Sequence, residues 1–153
     1  MAKVVIVGGG FGGLSLLQEA RKSEHQFVLI DKTNHHLFQP LLYQVATAVL
    51  SPADITVPIR NLFKNDKNVK VTLGEVVDID KQNKKIILKN NEKINYDQLV
   101  ISTGSTYSYF GNNQWAKHSK GLKDINDALD IREKILKAFE KAENEEDERL
   151  RRK

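Results

Sequence analysis

The sequence predicts an α/β fold, a Rossmann-like parallel sheet with a small antiparallel meander inserted in it. Three observations carry this. An apolar run, Lys3-Val4-Val5-Ile6-Val7, enters the turn Gly8-Gly9-Gly10-Phe11-Gly12-Gly13, and a second apolar run, Phe27-Val28-Leu29-Ile30, ends at Asp31, 18 residues after Gly13. From Val69 the apolar period changes to two, the spacing of half-buried strands. A further apolar run, Gln98-Leu99-Val100-Ile101, then ends at Ser102-Thr103-Gly104.

The opening element is a strand–turn–helix–strand–acid unit. Gly8 permits the tight turn off the strand, Gly10 lets backbone amides approach a pyrophosphate, and Gly13 lets the helix pack close to the sheet. The pyrophosphate would sit at the positive end of the helix, whose first N–H groups have no intrahelical acceptor. An acid at Asp31 suits an adenosine ribose and disfavours a 2′-phosphate, which points to FAD or NAD over NADP.

Phe11 to Ser23 reads as a helix, with Leu14, Leu17 and Ala20 on one face. Lys32 to Gln39 reads as a polar loop containing His35 and His36. Pro40 opens a short apolar helix over Leu41–Leu50. Ser51-Pro52-Ala53-Asp54 reads as an N-cap with proline at the first helical position, and a short helix runs on towards Phe63, broken or kinked at Pro58. Val69-Val71-Leu73, Val76-Val77-Ile79, Ile86-Ile87-Leu88 and Ile94-Tyr96 form the expected meander, with a turn at Asn90-Asn91-Glu92. Tyr107 to Leu122 is an irregular loop holding Trp115. Asp124 starts a long helix reaching Lys153, with an apolar stripe of Ile125, Ala128, Leu129, Ile135, Leu136 and Phe139. From Lys141 onward five acids balance five bases; Glu145–Arg149, Asp147–Arg151 and Glu148–Arg152 stand at i,i+4 spacing, and the segment reads as a solvated helix or linker. The domain reading is 1–123 for the sheet domain and 124–153 for the charged helix or linker.

Composition narrows the function classes. The 153 residues carry a net charge of +4, are 40% hydrophobic and 29% charged, and include no cysteine. The modest, interspersed charge gives no sign of nucleic-acid binding. No apolar run approaches the roughly 20 residues that span a bilayer, and no signal peptide is read. Absence of cysteine fits a reducing compartment and removes thiol chemistry and Cys-type metal sites from this segment. The His35-His36 pair has no carboxylate or thiol at ligand spacing, so no metal site is expected. Tyr43 and Phe38 read as core residues before cofactor contacts, and Trp115 as a packing anchor before a base-stacking or quinone platform.

The stretch His35-His36-Leu37-Phe38-Gln39-Pro40-Leu41-Leu42-Tyr43-Gln44-Val45-Ala46-Thr47-Ala48 is far more specific than the glycine turn. Together with Leu50-Ser51-Pro52-Ala53-Asp54-Ile55, Pro58-Ile59-Arg60, Ser102–Ser105, Ser108–Gly111, Gly121–Lys123, Asp127-Ala128-Leu129 and Ile131-Arg132, it resembles the type II NADH dehydrogenases, single-subunit NADH:quinone oxidoreductases. The resemblance covers nearly the whole chain.

The resemblance implies an FAD-binding domain that is incomplete relative to a flavoprotein built of two dinucleotide-binding folds. The second fold would hold NADH, and a C-terminal amphipathic region would attach peripherally to the inner face of the membrane; the segment itself is then cytoplasmic, an N-terminal fragment. Apart from the resemblance, the stripe of Ile135, Leu136 and Phe139 would lack part of its cover, which makes a homodimer one expected form. The resemblance also implies that Gly8, Gly10, Phe11, Gly12 and Gly13 hold the FAD pyrophosphate and that Asp31 and Lys32 contact the adenosine side. Val76 matches the position whose backbone meets the adenine, and Thr103 and Gly104 close over the flavin. Gln39, Pro40 and Thr47 resemble residues near the isoalloxazine, on the route to quinone. Leu17 stands where a small residue is usual, implying looser helix packing, and Ser102 stands where alanine is usual.

The cofactor carries the chemistry in such enzymes, so no catalytic side chain is expected here. Disulfide reductases and sulfide:quinone reductases of related fold need cysteines, which are absent. Short-chain dehydrogenases need Tyr-x-x-x-Lys, and none of Tyr43, Tyr96, Tyr107 or Tyr109 has that lysine. The other reading is a non-catalytic module that holds a nucleotide or a partner. The isolated chain is not expected to turn over NADH on its own.

Overall fold

The computed structural model describes residues 1–151. In chain order the elements are β1 (Lys3–Val7), α1 (Phe11–Ala20), β2 (Gln26–Asp31), β3 (His35–Leu37), α2 (Leu42–Ala46), β4 (Thr56–Pro58), α3 (Ile59–Leu62), β5 (Val69–Leu73), β6 (Val76–Asp80), β7 (Lys85–Leu88), β8 (Lys93–Asn95), β9 (Gln98–Ile101), α4 (Ile125–Glu143) and α5 (Glu148–Arg151). Short 3-10 turns cover Gln39–Leu41, Pro52–Ile55 and Asn113–Lys117.

The chain forms two compact units that interleave in sequence. The first comprises residues 1–36 and 57–105, the second residues 37–56 and 106 onward.

The first unit is built on a four-stranded sheet, β5-β2-β1-β9, in which every pair is parallel. Val4 stands opposite Phe27 and Gln98, and Leu29 stands opposite Val71. Between their polar end residues Lys3, Gln26 and Asp31 the central strands are continuously apolar, because both faces are covered. Val4, Ile6, Phe27 and Leu29 pack with Leu14, Leu17, Ile59 and Phe63, and Val5, Val7, Val28 and Ile30 pack with Ile86 and Leu88 of the antiparallel β6-β7-β8 meander. Leu17 is fully buried in the first of these clusters. The larger side chain is therefore accommodated, and the looser packing expected from it is not seen.

Several boundaries differ from the sequence reading. β5 was expected in the meander; it instead pairs parallel with β2 as the sheet edge. An edge strand with one solvated face alternates with the same period as a meander strand, so periodicity alone could not separate the two. Polar anchors do separate them: Asn68 Nδ2 donates to the carbonyls of Arg21, Ser23 and His25 at 2.9, 3.2 and 3.0 Å, and Arg21 pairs with Asp66 at 2.8 Å. These contacts bring the chain before β5 alongside β2. His35–Leu37 forms a strand inside the expected polar loop. The Leu41–Leu50 helix shrinks to α2, preceded by a 3-10 turn with Pro40 in it. After Ser51 the expected single helix divides into a 3-10 turn, β4 and α3, with Pro58 as the residue before α3.

In the second unit α2 packs on α4 through Leu42, Val45, Ala46, Ile55 and Ala128, flanked by Ile125 and Ile131. Asp124 caps α4: its carboxylate accepts the Asp127 N–H at 3.0 Å, and Asp127 accepts the Lys123 N–H at 2.8 Å. The helix ends at Glu143 and does not continue to Lys153. Asp147 bonds the Arg149 N–H, and Arg151 donates to the Glu145 carbonyl at 2.7 Å, so these side chains serve the turn before α5 and not the i,i+4 pairs expected. The Glu148–Arg152 pair lies outside the described residues. Within the expected apolar stripe Leu129, Ile135, Leu136 and Phe139 are exposed, Phe139 by 71%. Phe38 and Tyr43 are likewise exposed and do not fill the core roles expected of them, and Trp115 is half exposed.

Candidate functional site

The strand order reverses at β1, with β2 on one side and β9 on the other. In an open parallel sheet the crevice at the carboxyl ends of such strands is where ligands bind. Here that region holds the glycine turn, Asp31, the Ser102-Thr103-Gly104 turn and the start of β6.

The turn is fixed by close backbone approach. Gly8 has φ of +107°, and a Cβ there would lie 2.3 Å from the Ser102 carbonyl oxygen. Gly8 N–H donates to the Ile30 carbonyl and Ser102 N–H to the Val7 carbonyl, each at 2.8 Å. The Ser102 hydroxyl, expected only as a tolerated departure, donates its one proton to the Val7 and Gly8 carbonyls, 3.0 Å from each. A Cβ on Gly13 would lie 2.0 Å from the Gly8 oxygen, so α1 touches the turn at a position only glycine fits.

Gly10 is different in kind. It precedes α1 with an extended backbone (φ −77°, ψ −167°), and a Cβ there would meet nothing within 4 Å. No side chain caps α1 and its first turn holds no acid. A helix start with its donor end uncapped, beside an open glycine, is a place for an anion. Gly104, at φ of +72°, also has open space around it.

Asp31 is already engaged. Its Oδ2 accepts the Gly9 N–H, and its Oδ1 accepts the Thr33 N–H and hydroxyl, both at 2.7 Å. A carboxylate has about four acceptor positions, so one is left for a further donor.

A cleft of about 230 Å³ gathers Val7, Gly8, Ile30, Asp31, Lys32, Gly74, Glu75, Val76 and Thr103. It thus brings together Gly8, Asp31, Lys32, Val76 and Thr103, drawn from four separate stretches of sequence. Gly74 and Glu75 were not singled out. The end of β5 is their only sequence signal, and that strand was assigned to the wrong sheet. At the rim Lys89 and Glu75 pair at 2.8 Å. The Lys89 ammonium, by hydrogen bond and charge, holds the Glu75 carboxyl below its ordinary range, and Glu75 in turn raises Lys89.

Gln39, Pro40 and Thr47 belong to the second unit. Gln39 and Pro40 lie in the 3-10 turn before α2, and Thr47 follows α2 with its hydroxyl donating to the Tyr43 carbonyl at 3.0 Å. Of the histidine pair, His35 Nδ1 lies 3.1 Å from Asn34 Oδ1, whereas His36 Nδ1 lies 3.2 Å from the Gly9 carbonyl oxygen.

Residues 2–146 match the family of pyridine nucleotide-disulphide oxidoreductases, and the chain belongs to that family. It is similar to the N-terminal part of a type II NADH:quinone oxidoreductase of Mycobacterium tuberculosis, 43% identical over 148 residues, covering 95% of this chain and 32% of that protein. Among solved structures it resembles NDH2 from Plasmodium falciparum (TM-score 0.81, 32% identity, 95% of this chain and 30% of that one). It also resembles the sulfide:quinone oxidoreductase of Aquifex aeolicus (TM-score 0.82, 25% identity, 92% of this chain and 33% of that one). The chain spans about a third of the length of the curated relatives it matches. Among the described residues no helix is long and apolar enough to cross a membrane.

Proposed function

We infer that this chain is the FAD-binding part of a type II NADH:quinone oxidoreductase. The observation that carries the reading is the cleft at the carboxyl ends of β1 and β2, where Gly8, Asp31, Lys32, Val76 and Thr103 converge beside the uncapped start of α1. The residues fit the group. Gly10 leaves backbone room for a pyrophosphate, and the first turn of α1 offers donors without a competing acid. In this reading Gly8, Gly10, Phe11, Gly12 and Gly13 hold the pyrophosphate, Asp31 and Lys32 the adenosine ribose, and the Val76 backbone the adenine. Thr103 and Gly104 approach the flavin, and Gln39, Pro40 and Thr47 stand near its ring system.

When bound, FAD supplies the two-electron chemistry by which NADH is oxidised and a membrane quinone reduced. The chain's own part is to bind and orient the cofactor, keep its phosphates on backbone donors, and hold one ribose hydroxyl at Asp31. NADH binding and attachment to the membrane surface belong to further segments of a complete enzyme. Likeness to a sulfide:quinone oxidoreductase does not favour sulfide chemistry here, since these 153 residues contain no thiol.

The test is an FAD titration of the purified chain, followed by quenching of flavin fluorescence. Stoichiometric binding is expected. A folded chain that leaves the fluorescence unchanged at micromolar concentrations sinks the reading. A second arm supplies the remaining two thirds of a relative in trans, and absence of NADH-dependent quinone reduction then counts against the assigned reaction.

A further inference from the structure

The function above leaves the His35-His36 pair unused, and His36 stands at the glycine turn. Its Nδ1 lies 3.2 Å from the Gly9 carbonyl oxygen. A carbonyl oxygen only accepts, so the proton of that bond sits on Nδ1. The imidazole ring is held by an edge-to-face contact with Phe11, centroids 5.0 Å apart and planes at 87°. On the other side of the same residue the Gly9 N–H donates to Asp31 Oδ2. The space a Gly9 side chain would take is filled by Ile59 Cδ1, 2.6 Å from the ideal Cβ position.

Gly9 is thus gripped by both backbone polar groups and by packing. Thr33 braces one of the two grips through Asp31. In a trans peptide the C=O and the following N–H point in opposite directions. Holding the Gly9 carbonyl against His36 therefore fixes where the Gly10 N–H points, and Gly10 is the residue with open space around it at the start of α1. Left free, a glycine pair can rotate that peptide at little cost, and each binding event would have to order it.

We propose that His36 is a positioning residue that locks the Gly9–Gly10 peptide, so that the Gly10 N–H is aimed in advance at the phosphate of a bound dinucleotide. The role rests on the FAD reading above. His36 does not touch the phosphate itself; it acts through Gly9. Asp31 gains a second task, holding the turn as well as the ribose.

The experiment uses the full 153-residue chain. Long-range nitrogen–proton NMR of its histidines reports which ring nitrogen carries the proton, with no cofactor present. The expected result is the Nδ1–H tautomer at His36. Two variants follow, His36→Phe, which keeps the ring against Phe11 but has no donor, and His36→Asn, whose amide can donate from nearly the same place. Apo melting temperatures of both are expected within about 3 °C of the parent, since at most one part-buried hydrogen bond is lost. FAD affinity is expected to fall about tenfold in His36→Phe and to recover most of that in His36→Asn, the scale of one preorganised hydrogen bond.

An Nε2–H tautomer overturns the proposal, as does equal FAD affinity of His36→Phe and the parent. So does a parallel loss of melting temperature and affinity in both variants, which marks a folding role only. A parent chain that keeps the Nδ1–H tautomer yet binds no FAD overturns the cofactor reading, and the positioning role with it.

Discussion

Gly13 and Gly10 sit three residues apart in one turn, and the structure assigns them opposite sensitivities to the same change. A Cβ on Gly13 would lie 2.0 Å from the Gly8 oxygen, where ordinary contact begins at 3.4 Å, so backbone must move by more than 1 Å. Overpacking of that size costs about 3 kcal/mol. Alanine in place of glycine within a helix returns up to ~1 kcal/mol. The net for Gly13→Ala is about 2 kcal/mol, which in a domain of this size lowers the melting temperature by roughly 4–8 °C. On Gly10 the same methyl meets nothing within 4 Å, and φ of −77° suits any residue. Gly10→Ala should leave the apo melting temperature within about 2 °C of the parent, as a surface change does. Yet that open space is where a pyrophosphate would approach the backbone. Losing one or two charge-assisted bonds there weakens FAD binding roughly 10- to 100-fold. Thermal unfolding of the apo chain and flavin-fluorescence titration separate the two effects. The reasoning is refuted if Gly10→Ala binds FAD like the parent, or if Gly13→Ala melts with it.

Three further outcomes are expected. Leu17→Ala, emptying a fully buried position between α1 and the sheet, should cost about 3 kcal/mol in urea unfolding, and a cost under about 1 kcal/mol would mean that the site collapses to fit the smaller residue. Asp124→Ala removes the cap of α4 and should cost about 1 kcal/mol, read as a loss of helical circular dichroism on mild heating. The carboxyls of Asp54 and Asp80 are held below their ordinary 3.8 by hydrogen bonds from Ser51 and Asn83, and Glu75 below 4.5 by Lys89. Groups with depressed folded values stabilise above the unfolded value and lose that contribution as pH falls through the folded one. Melting temperature should therefore drop as pH is lowered beneath about 4.5, with a smaller drop in Glu75→Gln; an identical acid profile in that variant would contradict the assignment.

The β1–α1–β2 unit was legible because three independent signals agreed over Lys3–Asp31: strand apolarity, glycine spacing and a terminal acid. The meander turn at Asn90–Glu92 and the start of the long helix at Asp124 were legible for a similar reason, since each is local chemistry. What periodicity could not tell was partnership. β5 alternates like β6, yet the Asn68 side chain, binding three carbonyls of the α1–β2 connection, sends it to the parallel sheet. Exposure of Phe38, Tyr43 and Trp115 was equally out of reach, because aromatic residues are usually covered and nothing local says otherwise. In the site, the glycines and Asp31 were readable from their spacing. The grip on Gly9 was not, since it joins groups 22 and 27 residues apart through side-chain bonds that leave no pattern in the chain.

β1 pairs with β2 on one side and with β9 on the other, and Ser102 bonds back to Val7 across 95 positions of sequence. Synthesis therefore presents the ribosome-bound chain with a wait. At about 5–20 residues per second, the far edge of β1 stays open for roughly 5–20 seconds after it emerges, before its second partner exists. Folding of this unit is thus governed by its slowest long-range closure. In the interval the apolar run Val4–Val7 lacks its second strand partner, and the glycine turn cannot take its final shape until Ser102 arrives.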